Sequence, residues 1–271
     1  MENTELHEIY LTLKEMLVEK GALPVERPQA FLTVGQPGAG KTTLAAIVME
    51  KMNDNAIFIN GDDYRQRHPN YEEFVKKYKD DAVLHTQKFA GQLTEYIIDN
   101  LSQEHFNLII EGTLRTKEVP LKTKDLLKKR GYTVSLEVIS VRPEISFLST
   151  IKRYIKSQQR GSLPRMTPKE HHDLVVDSIV KNLNHLYKHG DFSEIKIYNR
   201  EKECLYDSNL TPNKNPADLL RKEFSRQLSS EEIKEIHKDF DPYAGKQKVS
   251  AIIASYAQKI KEKSKNKDFE R

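Results

Sequence analysis

Short apolar runs alternate along the chain with stretches whose apolar residues recur at helical spacing. Near the start, Leu6, Ile9, Tyr10, Leu13, Met16 and Leu17 fall three and four positions apart, which predicts an amphipathic helix stopped by Gly21 and Pro24. Compact apolar segments over 31–35, 56–60 and 108–111 then alternate with helical patterns over 41–52 and 82–101. That rhythm predicts a parallel α/β sheet flanked by helices. It continues with a helix over 117–130, interrupted early by Pro120, a strand over 133–141, and a helix over 143–157 carried by Ile145, Leu148, Ile151 and Ile155. Pro168 suits the first position of a further helix running through Leu174, Ile179 and Leu186 to Gly190. Short strands over 195–199 and 204–206 follow, joined by the charged turn Arg200-Glu201-Lys202-Glu203.

From Pro216 the composition shifts to charged helix formers, and the last thirteen residues carry nine charges. We therefore expect a main domain over 1–215 and a charged helical extension over 216–271. The 44 basic residues barely outnumber 40 acidic ones, a net charge of +4, so neither nucleic acid nor a membrane surface is called for as a partner. A single cysteine, Cys204, excludes an internal disulfide. The first twenty residues lack the basic start and apolar core of a signal peptide, and no run approaches the ~18 apolar residues of a membrane span. The expected location is cytoplasmic.

One segment carries specific chemistry. Gly35-Gln36-Pro37-Gly38-Ala39-Gly40-Lys41-Thr42, continued by Thr43, fits the phosphate-loop pattern between a predicted strand and a predicted helix. Its backbone N–H groups and the positive end of the following helix would cradle phosphates. Lys41 would reach the β- and γ-phosphates, and the Thr42 hydroxyl would ligate Mg²⁺. The expected fold is thus a P-loop kinase-like sheet, and the expected cofactors are a nucleoside triphosphate and Mg²⁺.

The absences narrow the class. None of the eleven glycines has an Asp three places before it, and Asn213-Lys214 runs into Asn215-Pro216, so the switch and guanine-reading motifs of a GTPase are missing. Strand 108–111 ends in one acid, Glu111, followed by Gly112-Thr113, rather than the paired acids of motor ATPases. Phosphotransfer to a bound hydroxyl remains. It requires a carboxylate to accept the hydroxyl proton and positive charge over the transferring phosphoryl group. Asp62 follows a predicted strand, where parallel sheets place their chemistry, and is the candidate base. Asp63 competes for the role, and both could instead cap the next helix. Arg153 and Arg165, flanking the Gly161 to Pro164 segment, are the candidate cations.

With these residues in place the chain resembles the zeta toxin family. The resemblance rests on the phosphate loop, Asn60-Gly61-Asp62-Asp63-Tyr64 running into His68-Pro69-Asn70-Tyr71, Ile110-Glu111-Gly112-Thr113, Thr150-Ile151-Lys152-Arg153-Tyr154, Thr167-Pro168-Lys169 and Ile197-Tyr198-Asn199-Arg200. It implies a toxin of a toxin–antitoxin pair that uses ATP and Mg²⁺ to phosphorylate the 3′-hydroxyl of UDP-N-acetylglucosamine, blocking peptidoglycan precursor synthesis. A small helical antitoxin is the implied partner. Position by position it implies Asp62 as base, Lys41 and Thr42 on phosphate and Mg²⁺, and Arg153 with Arg165 on the developing charge. It adds Glu95, Glu111, Thr113, Arg115 and Thr123 as walls of the sugar-nucleotide pocket. Gly61 stands where the family tolerates a larger polar residue, so a side-chain contact is absent there.

The residues alone leave the acceptor open between this sugar nucleotide, another hydroxyl, and a binding module with no productive acceptor. They also leave ATP against GTP undecided. No His or Cys spacing matches a zinc site; His171 and His172, adjacent on a helix, point in different directions. The N-terminal amphipathic helix has two readings, packing on the sheet and docking an antitoxin.

Overall fold

The computed structural model describes residues 3–18, 21–160 and 166–269. In chain order the elements are α1 (Asn3–Val18), β1 (Gln29–Val34), α2 (Lys41–Lys51), β2 (Ile57–Ile59), α3 (Tyr71–Tyr78), α4 (Ala82–Gln103), β3 (Leu108–Gly112), α5 (Glu118–Lys129), β4 (Thr133–Ile139), α6 (Pro143–Gln159), α7 (Lys169–His189), β5 (Glu194–Tyr198), β6 (Cys204–Asp207), α8 (Pro216–Ser225), α9 (Ser230–Ala244) and α10 (Lys246–Phe269). One sheet has the order β2-β3-β1-β4-β5-β6. Its first five strands are parallel, and β6 pairs antiparallel with β5.

The central strands are apolar on both faces because helices cover both. Ala30, Leu32 and Val34 join Leu108, Ile110 and Leu136 in the main core, whereas Phe31 and Ile109 point the other way, onto Ala45 and Val48 of α2. Covered on both sides, such strands read as continuous apolar runs rather than alternating ones. The α1 helix buries Leu6, Tyr10 and Leu13 in this core; Tyr10 stacks edge-on against Tyr96 of α4, ring centroids 5.7 Å apart.

Two features depart from the sequence expectation. Pro120 does not interrupt α5: it lies in the first turn, where an N–H has no intrahelical acceptor to lose. Between β2 and α4 the chain forms a 3-10 turn, Asp63–Arg67, and the short helix α3. Neither buries a continuous apolar stripe, so periodicity gives no signal for them.

The residues after Pro216 pack against the rest. Ala217, Leu220 and Phe224 of α8 complete the main core. Ile236 and Phe240 of α9 and Val249, Ile252 and Tyr256 of α10 enclose Phe147, Leu148 and Ile151 of α6 in a second core. A capping box between Ser229 and Glu232 starts α9. Arg142, at the start of α6, pairs with buried Glu144 at 2.5 Å and donates to the Arg226 carbonyl at the end of α8. Among the described residues no helix is long and apolar enough to cross a membrane.

Candidate active site

After β1 the chain turns through the glycine-rich loop into α2. Gly38 has φ +77°, and a Cβ there would lie 2.1 Å from the Ser146 carbonyl oxygen; only glycine allows both the backbone conformation and α6 at that distance. Gly40 has φ +101° and begins α2 with no side-chain cap. The first-turn N–H groups of α2 therefore face the loop, where an anion can take the place of a cap. Gln36 and Ala39 are fully buried. Gln36 Nε2 donates to the Val141 carbonyl (2.6 Å) and to Ser146 Oγ (3.2 Å).

Lys41 is nearly buried; its Nζ donates to the Gln36 carbonyl at 3.4 Å and lies 3.7 Å from Glu111 Oε1. The register Thr33↔Glu111 between β1 and β3 sets that carboxyl beside the start of the loop. Burial raises the Glu111 pKa above its ordinary value, and Asp62 and Asp63 raise it further, against the opposing fields of Lys41 and Arg153. Glu111 Oε2 is buried with no hydrogen-bond partner among the described residues. Thr42 and Thr43 are exposed at the mouth of the loop.

Asp62 follows β2. Its Oδ1 accepts from Arg65 Nε at 2.9 Å, and Arg65 is anchored by the Val83 carbonyl (2.8 Å) and Thr86 Oγ1 (3.3 Å) of α4. Asp62 precedes the 3-10 turn without a side-chain cap bond, and Asp63 is the first residue inside it. Lys41, Glu111, Asp62 and Arg153 thus share one electrostatic neighbourhood at the carboxyl ends of β1 to β3.

The remaining candidates are more spread out. Arg153 of α6 is exposed and donates to buried Thr167 at 3.5 Å. Arg165 and the Gly161 to Pro164 segment lie outside the described residues. Thr113 and Arg115 are half-buried just past β3, where Asn182 Nδ2 of α7 donates to the Leu114 and Arg115 carbonyls. Glu95 of α4 forms an exposed ion pair with Lys122 of α5 at 2.8 Å, one residue from half-buried Thr123. At Gly61 a Cβ would meet Thr94 Oγ1 at 2.7 Å, so a larger residue there needs Thr94 to move.

Two further residues belong to the site. Arg200, read from sequence as part of a charged turn, donates to the Gly38 carbonyl (2.5 Å), the Ala39 carbonyl (3.4 Å) and Ser149 Oγ (2.7 Å). It braces the loop from behind. His171 is half-buried, and besides burial it feels Arg115, Asp62 and Arg65. Its position on a helix surface gave no sign of this, because the contact is made by the fold and not by local spacing.

The zeta toxin family model matches residues 14–211, a span holding the loop, Asp62, Glu111, Arg153 and Arg200. This chain belongs to the zeta toxin family. It is 43% identical to a toxin zeta of Streptococcus pyogenes over 222 residues, 82% of this chain and 77% of the relative. It is 43% identical to the toxin PezT of Streptococcus pneumoniae over 190 residues, 70% of this chain and 75% of the relative. A solved structure from the PezAT chromosomal toxin–antitoxin system of Streptococcus pneumoniae superposes with a TM-score of 0.79 at 34% identity, covering 94% of this chain and 98% of that one. The likeness to that structure therefore reaches past residue 211 into the α8 to α10 region.

Proposed function

We propose that the chain is an ATP-dependent kinase that phosphorylates the 3′-hydroxyl of UDP-N-acetylglucosamine, and that it acts as the toxin of a toxin–antitoxin pair by blocking peptidoglycan precursor synthesis. The observation that carries this reading is the meeting of a phosphate loop with Lys41, Asp62 and Glu111 at one end of the sheet. A phosphoryl donor and a hydroxyl acceptor need such groups within reach of one another.

The residues fit a magnesium nucleotide. The loop from Gly35 to Thr43 is shaped for phosphate, Lys41 is held over it, Thr42 offers an exposed hydroxyl, and Glu111 Oε2 is buried without a hydrogen-bond partner among the described residues. When bound, Mg²⁺ with Thr42 among its ligands would neutralise phosphate charge. Asp62, oriented by Arg65, takes the proton of the acceptor hydroxyl as its oxygen bonds to phosphorus and the bond to ADP breaks. Lys41 and Arg153 oppose the charge on the transferring group, with Arg165 the proposed second arginine. Glu95, Glu111, Thr113, Arg115 and Thr123 are proposed to line the sugar-nucleotide pocket. The proposed protein partner is a small helical antitoxin, supported by the toxin–antitoxin system of the PezAT relative.

ADP release by purified protein with ATP and Mg²⁺, across a panel of hydroxyl acceptors, tests the reading. UDP-N-acetylglucosamine should stimulate release and gain one phosphate on the sugar. Stimulation only by another acceptor would replace the substrate, and none by any would remove the kinase. Lys41→Ala should abolish activity and growth arrest together.

A further inference from the structure

A line of buried polar groups connects the phosphate loop to the C-terminal helix. Gln36 Nε2 lies 3.2 Å from Ser146 Oγ, which lies 2.8 Å from His172 Nε2; His172 Nδ1 lies 3.0 Å from the Tyr256 hydroxyl, itself 2.6 Å from Asp173 Oδ1. Gln36, Ser146 and His172 are fully buried and Tyr256 is 3% exposed. Asp173 is held by Lys169 at 2.6 Å and Lys259 at 3.6 Å.

Proton counting orients the line. Asp173 only accepts, so the single Tyr256 proton goes to it. The ring proton of His172 then sits on Nδ1, facing the Tyr256 oxygen at 3.0 Å and Asp173 Oδ1 at 3.3 Å, both of which can accept it. A neutral imidazole has one such proton, which leaves Nε2 as an acceptor for the Ser146 hydroxyl, shared with the Pro143 carbonyl at 2.9 Å. Ser146 oxygen in turn accepts from Gln36. The neutral ring is the form burial favours, the His172 pKa being lowered to about 4.

We propose that Tyr256, His172 and Ser146 are positioning residues for the phosphate loop, so that α10 forms part of the nucleotide-binding apparatus. The proposal rests on the nucleotide reading of the loop. Its physical basis is that Gln36 carries the loop carbonyl to which Lys41 donates, while Ser146 both holds the Gln36 amide and presents its own carbonyl to Gly38. Losing the Ser146 hydroxyl leaves the Gln36 amide with the Val141 carbonyl as its one remaining anchor, at 2.6 Å. None of these groups needs to touch a ligand.

The test is Mg²⁺–nucleotide affinity of the full chain, read with a fluorescent ATP analogue on variants first shown to be folded by circular dichroism. Ser146→Ala and His172→Leu should weaken binding about tenfold, Tyr256→Phe less, and His172→Gln, which keeps an acceptor toward Ser146, should restore most of the loss. Ser146→Ala combined with Tyr256→Phe should cost less than the product of the single effects, because both cut one line. Affinities within twofold of wild type, with Lys41→Ala weakened, would overturn the positioning role. Multiplicative single effects would do the same. An unweakened Lys41→Ala would instead reject the nucleotide reading itself. If His172→Leu fails to fold, Ser146→Ala and Tyr256→Phe decide the matter through the same coupling.

Discussion

Lys41 Nζ lies 3.7 Å from Glu111 Oε1, yet the Glu111 carboxyl is held above its ordinary pKa because burial outweighs the neighbouring cation. Its folded form keeps a proton that the unfolded form has already lost. Stability contributed by the protonated group is therefore present below the unfolded pKa and lost as pH rises through the folded one. Glu111→Gln, a neutral isostere, should unfold at a higher temperature than wild type at pH 7.5, with each unit of pKa elevation worth about 1.4 kcal/mol. The gap should close near pH 4. Thermal unfolding of both proteins at the two pH values checks this, and a variant no more stable at pH 7.5 would show that the carboxylate is well accommodated.

Asp62 is oriented by Arg65, which is tied in turn to the start of α4. Asp62→Asn preserves shape and removes the proton acceptor. Phosphotransfer should fall roughly 10²–10⁴-fold, the usual range for a lost general base, with nucleotide affinity nearly unchanged. Steady-state ADP release beside equilibrium nucleotide binding separates these quantities. An unchanged rate would pass the role to another group, with adjacent Asp63 the first to examine.

Arg200 donates to the Gly38 and Ala39 carbonyls and to Ser149. Removing it leaves the carbonyls of half-buried Gly38 and fully buried Ala39 without that donor, each such loss costing about 1–3 kcal/mol. Arg200→Ala should lower both unfolding stability and nucleotide affinity. Arg200→Lys should recover only part, because an ammonium cannot reproduce the planar fork. Urea unfolding with and without Mg²⁺–nucleotide measures both effects.

The parallel sheet and the loop were legible because their signals are local. Segments 31–35 and 108–111 are apolar on both faces, and the loop needs glycine at Gly38 and Gly40 for backbone reasons. The position of Asp62 at the carboxyl end of a strand was legible from the apolar run before it. Arg200 was not, since a charged turn between two strands reads as solvent-facing, and its acceptors in the loop lie about 160 residues earlier in the chain. His171 and His172 look alike in sequence; one is half-buried beside Asp62 and Arg115, while the other is sealed between Ser146 and Tyr256, 26 and 84 residues away. Local periodicity carries no information about partners so distant. The α3 helix failed for the opposite reason: it has no fully buried residue, and the aromatic ring contacts of Phe74 among the described residues are with His68, Tyr78 and His85.

His172 gives the fold an acid limit. Its pKa falls to about 4 in the folded chain, chiefly through burial, against an ordinary value of 6.5. Between those values the unfolded chain binds a proton that the folded chain does not, so stability rises with pH there. The contribution is complete above pH 6.5 and disappears as pH falls toward 4, a loss of about 3 kcal/mol at 1.36 kcal/mol per unit. Asp173, lowered to about 2 with Lys169 and Tyr256 as its strongest hydrogen-bond donors, adds a further loss below its ordinary 3.8. Urea unfolding midpoints between pH 7 and pH 4 should fall steeply for wild type and more shallowly for His172→Gln, which has no proton to gain. Parallel slopes for the two proteins would assign the acid sensitivity to other groups.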